Sequence, residues 1–255
     1  AAHQPEALVA ALAQAKAPTQ ARHLSETLDE IIARRVTFLT AYQNAAYAAR
    51  YRHLVARVQA KEAAVLPGQT TLSETVARYL FKLMAYKDEY EVARLYADGS
   101  FQKQVEATFE PTSASGEKLR YEFNLAPPLL TKVDPVTGEP RKMTFGPWMM
   151  SAFGLLAKLK GLRGTAFDVF GYTHERKTER QLIADYEALL GEIIAKLTPE
   201  THALCVALAA IPEKIRGFGH VKERHLKAAK AEETELLARL RDGSAAALAM
   251  PKAAE

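Results

Sequence analysis

Apolar positions recur at intervals of three and four from Leu28 onward. Leu28, Ile31, Ile32, Val36, Leu39, Tyr42, Ala46, Ala49 and Val58 predict one long helical segment from Ser25 to about Ala64, a stretch without Gly or Pro. Thr27 followed by Glu30 has capping-box spacing, and Pro67–Gly68 ends the segment. A helix of that length needs a partner along it, because propensity alone does not hold it. A second helix is predicted from Thr71–Glu74, again with capping-box spacing, to about Tyr96, closed by Asp98–Gly99. There the period changes. Phe101–Glu110 alternates through Val105, Ala107 and Phe109, and Leu119, Tyr121, Phe123 and Leu125 alternate with Arg120, Glu122 and Asn124. With turn-like Thr112–Gly116 between them, these runs predict a β-hairpin. Pro127–Pro128 stops the second strand, Asp134–Gly138 reads as a turn, and Lys142–Phe145 reads as a short third strand.

Helical character returns from Pro147 to about Lys160, and Gly161, Gly164 and Gly171 make the next stretch a loop. Thr173 caps a helix ending at Leu197. Thr198–Pro199 opens an apolar helix through Ile211, and a charged helix runs from about Val221 to Leu240. The predicted fold class is therefore α+β, mainly α, with long helices packed around a small inserted antiparallel β-hairpin or sheet. Residues 1–24, rich in Ala and Gln, read as a linker or loosely docked lead-in. Residues 25–242 read as a single mainly helical domain with a β insertion at about 101–146, and 243–255 as a flexible tail.

Composition narrows the picture. With 48% hydrophobic and 25% charged residues the chain has ample core material and is not disordered throughout. Cys205 stands alone, which excludes a disulfide framework and any cysteine-ligated zinc or iron–sulfur site built by this chain by itself. The net charge of +4 comes from 34 basic and 30 acidic residues of interspersed sign, as in Asp29–Glu30 followed by Arg34–Arg35. That pattern argues for a solvated mixed surface and against a nucleic-acid face. The uncharged run Met143–Ala157 is too short to cross a bilayer, and no signal-peptide pattern opens the chain. The start at Ala1 without Met is compatible with a piece of something larger. A single thiol suits a cytoplasmic setting.

Three polar segments are candidates for chemistry. On a helix, Leu83, Lys87, Tyr90 and Arg94 share a face with Tyr86 beside it; the two cations can grip a phosphate or carboxylate, or merely satisfy Glu91 and Asp98. In Ile215–Lys222 two glycines before a helix, with Arg216, His220 and Lys222, suggest an anion nest, or more simply a turn needing positive φ. In Gly161–Tyr172, Arg163 and Asp168 are expected to pair across a compact loop, with Phe167 and Phe170 pinning it to the core. His202 stands alone on an apolar helix, and His220 and His225 lack metal-ligand spacing. No nucleophile elbow, P-loop or kinase signature occurs, so no catalytic residue is assigned.

Lys87-Asp-Glu-Tyr-Glu-Val-Ala-Arg-Leu-Tyr96, Leu125-Ala-Pro-Pro-Leu-Leu130, Phe145-Gly-Pro-Trp-Met149, Leu162-Arg-Gly-Thr165, Phe170-Gly-Tyr172 and Ile215-Arg-Gly-Phe-Gly-His-Val-Lys222 carry a family resemblance. From about Leu28 to Leu237 the chain resembles the C-terminal region of long, fused indolepyruvate ferredoxin oxidoreductases, a region treated as a domain of unknown function. Asn124 departs from the histidine that often precedes Leu-Ala-Pro-Pro there. The resemblance implies a cytoplasmic, homo-oligomeric parent that oxidatively decarboxylates an arylpyruvate-type 2-oxoacid to an acyl-CoA, CO₂ and a reduced ferredoxin-like acceptor. The parent would use thiamine diphosphate, Mg and iron–sulfur clusters. The motifs for those groups are missing from this chain, so no cofactor is expected in it. The implied role is a non-catalytic structural or interaction domain packed against the catalytic domains of the same polypeptide, with no nucleic-acid or membrane partner. In the alternative, Lys87, Arg94, Arg163, Arg216 and Lys222 line a basic cleft for coenzyme A phosphates or the acceptor protein.

Overall fold

The computed structural model describes residues 27–108, 121–126, 141–217 and 219–243. Its secondary structure is mainly helical with one two-stranded antiparallel sheet, the α+β class expected. The helices are α1 (Leu28–Tyr42), α2 (Ala45–Val65), α3 (Thr71–Met84), α4 (Glu89–Ala97), α5 (Ser100–Thr108), α6 (Met149–Lys158), α7 (His174–Lys196), α8 (His202–Ala210) and α9 (Gly219–Arg241). The strands are β1 (Phe123–Leu125) and β2 (Met143–Phe145), and 3₁₀ turns cover Leu159–Leu162 and Ile211–Lys214. Backbone contacts divide the chain into two compact units: the described part of Glu89–Leu159, and Glu26–Asp88 together with Lys160 onward.

In the larger unit α3 is the central helix, touching α1, α2, α7 and α8. Its core contains Leu39, Tyr42, Tyr51, Val55, Leu72, Leu80, Met84, Leu190, Ile193 and Leu208, all buried. Two buried tyrosines donate to main-chain carbonyls, Tyr51 to Ala77 at 3.0 Å and Tyr186 to Ala209 at 2.8 Å, so neither of these phenols is stranded.

The first predicted helix is two helices. The Thr27–Glu30 capping box forms as expected, with bonds of 3.2 and 3.3 Å. Asn44 then breaks the pattern: its Oδ1 accepts from the Tyr47 amide at 2.9 Å and so starts α2. The second predicted helix also breaks, at 85–88, between α3 and α4. At α3 the expected capping box is absent. The Thr70 hydroxyl bonds the Glu74 carboxylate instead, and Glu62 of α2 accepts from the Leu72 and Ser73 amides at 2.8 Å. The apolar α8 begins at His202 rather than at Pro199. Residues 198–201 form a turn closed by Thr201 Oγ1 donating to the Lys196 carbonyl at 2.8 Å.

In the smaller unit the expected strand at 101–110 is helix α5 over its described part. Phe101 and Val105 are an i, i+4 pair as well as alternating positions, and both are half-buried on one helix face. Asp98 Oδ1 accepts from the Ser100 amide at 2.9 Å ahead of the helix. The hairpin expected between 101–110 and 119–125 therefore does not form. Instead β1 pairs with the predicted third strand, in the register Phe123↔Phe145, Asn124↔Thr144, Leu125↔Met143. The segments Thr112–Gly116, Pro127–Pro128, Asp134–Gly138, the lead-in 1–24 and most of the tail lie outside the described residues. Ala93, Phe123, Met149 and Phe153 form this unit's core, with the Tyr96 ring stacked on Phe153 at 5.0 Å. Among the described residues no helix is long and apolar enough to cross a membrane.

Candidate interaction site

The break after α3 leaves carbonyls without helical partners, and the larger unit supplies side chains for them. Tyr42 Oη donates to the Tyr86 carbonyl at 2.8 Å and Tyr47 Oη to the Met84 carbonyl at 3.0 Å. Asp88, at the end of the break, receives Arg163 from the end of the 3₁₀ turn: Nε to Oδ2 at 2.5 Å and Nη2 to Oδ1 at 2.8 Å. The remaining Arg163 nitrogen, Nη1, donates to the Tyr42 carbonyl at 2.7 Å, and the guanidinium lies 3.7 Å from the centre of the Tyr42 ring. Lys160 Nζ caps the neighbouring Ala41 carbonyl at 2.5 Å. Both charges of the pair are buried. Burial alone would lower the Arg163 pKa, but its bonds to Asp88 raise it above the ordinary value. Burial, followed by the Asp88 charge, pushes the Tyr86 phenol up to about 12.

This ion pair anchors a loop. Asp168 does not pair with Arg163 as expected; its carboxylate accepts from the Gly164 amide at 2.7 Å and the Gly171 amide at 3.0 Å. Gly164 has φ +76, and a Cβ on Gly171 would collide with the Asp168 carboxylate, so both positions require glycine. Arg180 Nη2 holds the Gly171 carbonyl at 2.5 Å, Tyr172 Oη the Ala166 carbonyl at 2.7 Å, and Thr165 Oγ1 the Leu162 carbonyl at 2.7 Å. None of these bonds uses the side chains of Phe167 and Val169. Phe167 does not pin the loop to the core: it is 77% exposed, with Val169 at 57% and Tyr172 at 61%. A loop held by its own polar groups thus presents apolar side chains to solvent. Such a surface has already lost the entropy that docking would otherwise cost it.

The smaller unit has an apolar face of its own. Helix α6 buries Met149 and Phe153 inward, while Trp148, Leu155 and Leu159 are exposed, at 61%, 65% and 41%. Intervals of seven and four put these three on one stripe.

The other predicted site residues are engaged with carboxylates or lie apart. Lys87 is exposed in the helix break, so it shares no helix with Tyr90 and Arg94. Tyr90 is buried, and Arg94 grips Glu91 at 2.7 and 2.8 Å with Asp98 at 3.8 Å. Arg216 bonds the Glu213 carboxylate at 2.9 Å. Lys222 bonds Glu179 at 2.6 Å, a carboxylate it shares with Arg176. His220 is exposed in the first turn of α9. Gly217 and Gly219 have φ +92 and +53, the interhelical turn that the simpler reading required.

The sequence reading missed one buried centre. Glu62, which caps α3, also accepts Ser73 Oγ at 2.5 Å and His202 Nε2 at 2.8 Å, so His202 is not alone. The carboxylate sits between serine and histidine, and no hydrogen bond joins those two, so no base is set against a nucleophile. The Leu83–Tyr186–Lys230 region encloses a cavity of about 10 Å³, room for a single water.

A family model described as a family of unknown function (DUF6537) matches residues 28–235. No curated protein and no solved structure matches the chain.

Proposed function

We propose that this chain, which belongs to that family of unknown function, is a non-catalytic interaction domain of a cytoplasmic thiamine-diphosphate-dependent indolepyruvate (2-oxoacid):ferredoxin oxidoreductase, docking on the catalytic domains of the same polypeptide. The parent reaction is the oxidative decarboxylation of arylpyruvates to acyl-CoA. The parent assignment rests on the six sequence blocks quoted above. The docking role rests on one observation: a loop fixed by Asp168 and by the Arg163–Asp88 pair carries Phe167 and Val169 into solvent. Rigid aromatic anchors of this kind supply much of the binding energy at protein interfaces.

The parent's electron-carrying groups do not fit this chain's own side chains. An iron–sulfur centre needs several thiolates, and Cys205 is the single cysteine, buried, with its thiol pushed up to about 11 by burial. Among the described residues no three His, Cys, Asp or Glu side chains stand close enough to share a metal ion. In this reading those groups belong to the neighbouring domains.

The test is made in the full-length parent. Phe167→Ser with Val169→Ser is expected to cost assembly and to lower turnover about tenfold or more, while the 255-residue chain carrying the same changes keeps its unfolding midpoint. A variant parent that assembles and turns over normally would remove the docking role. Absence of 2-oxoacid decarboxylation in the unaltered parent would remove the enzyme assignment.

A further inference from the structure

The chain passes between its two units after Asp88 and again before Lys160. Both crossings are tied down on the larger side. Asp88 takes the two-bond pair with Arg163, whose Nη1 carries the tie on to the Tyr42 carbonyl. Lys160 Nζ donates to the carbonyl of Ala41, next to Tyr42 in α1. Tyr42 Oη donates in turn to the Tyr86 carbonyl, two residues ahead of Asp88. Exit and return therefore meet at the C-terminal end of α1, where the last helix carbonyls favour cations. Every residue of this clamp belongs to the larger unit.

The two units differ in how much they bury. The core cluster of the larger unit draws on α1, α2, α3, α7, α8 and α9 and contains no residue of 89–159. Among the described residues, the core cluster of the smaller unit is Ala93, Phe123, Met149 and Phe153, beside a sheet whose two strands have three residues each. Its Leu95, Met143, Trp148, Leu155 and Leu159 are exposed. A two-stranded sheet on so small a core is marginally stable. We infer that residues 89–159 are an insertion that opens and unfolds as a separate unit, while the clamp at Asp88 and Lys160 keeps the larger unit folded. Separate cores of unequal size give one chain cooperative units of unequal stability. Arg163 and the loop bearing Phe167 lie on the clamped side, so the loop is presented whether the insertion is folded or open.

The experiment follows amide hydrogen exchange in the intact 255-residue chain. Phe153 and Leu156 of α6 are expected to exchange about tenfold or more faster than Leu190 and Ile193 of α7. Met149→Ser with Phe153→Ser, which removes apolar bulk from the smaller core, should speed exchange across α4 and α6. The same variant should leave Gly164, Gly171 and Leu190 as they were. A shortened chain, with a Gly/Ser linker in place of residues 89–159, should still unfold cooperatively. Its Cys205, buried in the larger unit, should stay shielded from a thiol reagent. Equal exchange in α6 and α7, spread of the Met149 and Phe153 effect to Leu190, or a shortened chain whose Cys205 reacts as it does in denaturant would overturn the inference.

Discussion

The Arg163 guanidinium and the Asp88 carboxylate meet in a two-bond fork, 2.5 and 2.8 Å long, with both side chains buried. The pair joins the break after α3 to the root of the loop that displays Phe167. A buried pair is costly to break from one side, because the surviving charge has no water to return to.

Asp88→Ala is expected to destabilise the chain by about 3–5 kcal/mol, read by urea unfolding. The double variant Asp88→Leu with Arg163→Met should be more stable than Asp88→Ala alone, since no charge is then stranded. A double variant less stable than the single one would contradict this account.

Gly171→Ala should cost about 1–3 kcal/mol, because its Cβ would enter the space of the Asp168 carboxylate. Phe167→Ser should stay within about 0.5 kcal/mol of the parent chain, as surface changes do. Thermal unfolding of the two variants side by side separates what holds the loop from what the loop offers.

Glu62 gives a pH dependence. Burial alone would raise its carboxyl, but hydrogen bonds from Ser73, His202 and the Leu72 and Ser73 amides hold it below the ordinary value. Its folded pKa is thus below its unfolded one. The stabilisation it gives is present above the unfolded value of about 4.3, and is lost as pH falls through the folded value. The stability difference between the parent chain and Glu62→Gln should accordingly shrink below about pH 4, as measured by denaturant titration across pH. A difference that grows on acidification would contradict the assigned sign.

Cys205 lies buried on α8 with its thiol raised to about 11 by burial. At pH 8 it should resist a thiol reagent in the native chain and react fully in denaturant. Rapid labelling without denaturant would show that α8 opens.

The sequence by itself determined the helical class, the capping box at Thr27, the caps and extent of α7, and the glycine turn before α9. These depend on neighbours within a few residues, and local hydrogen bonding decides them. The tertiary structure alone decided where the long periodic stretches break. Asn44 and residues 85–88 carry no Gly or Pro, and the second break is held by Tyr42, Tyr47 and Arg163, distant in the chain. It likewise decided that Phe101–Thr108 is helix and that β1 pairs with β2, since an i, i+4 apolar pair fits either period until its packing partner is known. Charge partners were equally hidden. Arg163 chose Asp88 over the nearer Asp168, and His202 found Glu62 140 positions away, because burial pairs groups by distance in space rather than along the chain.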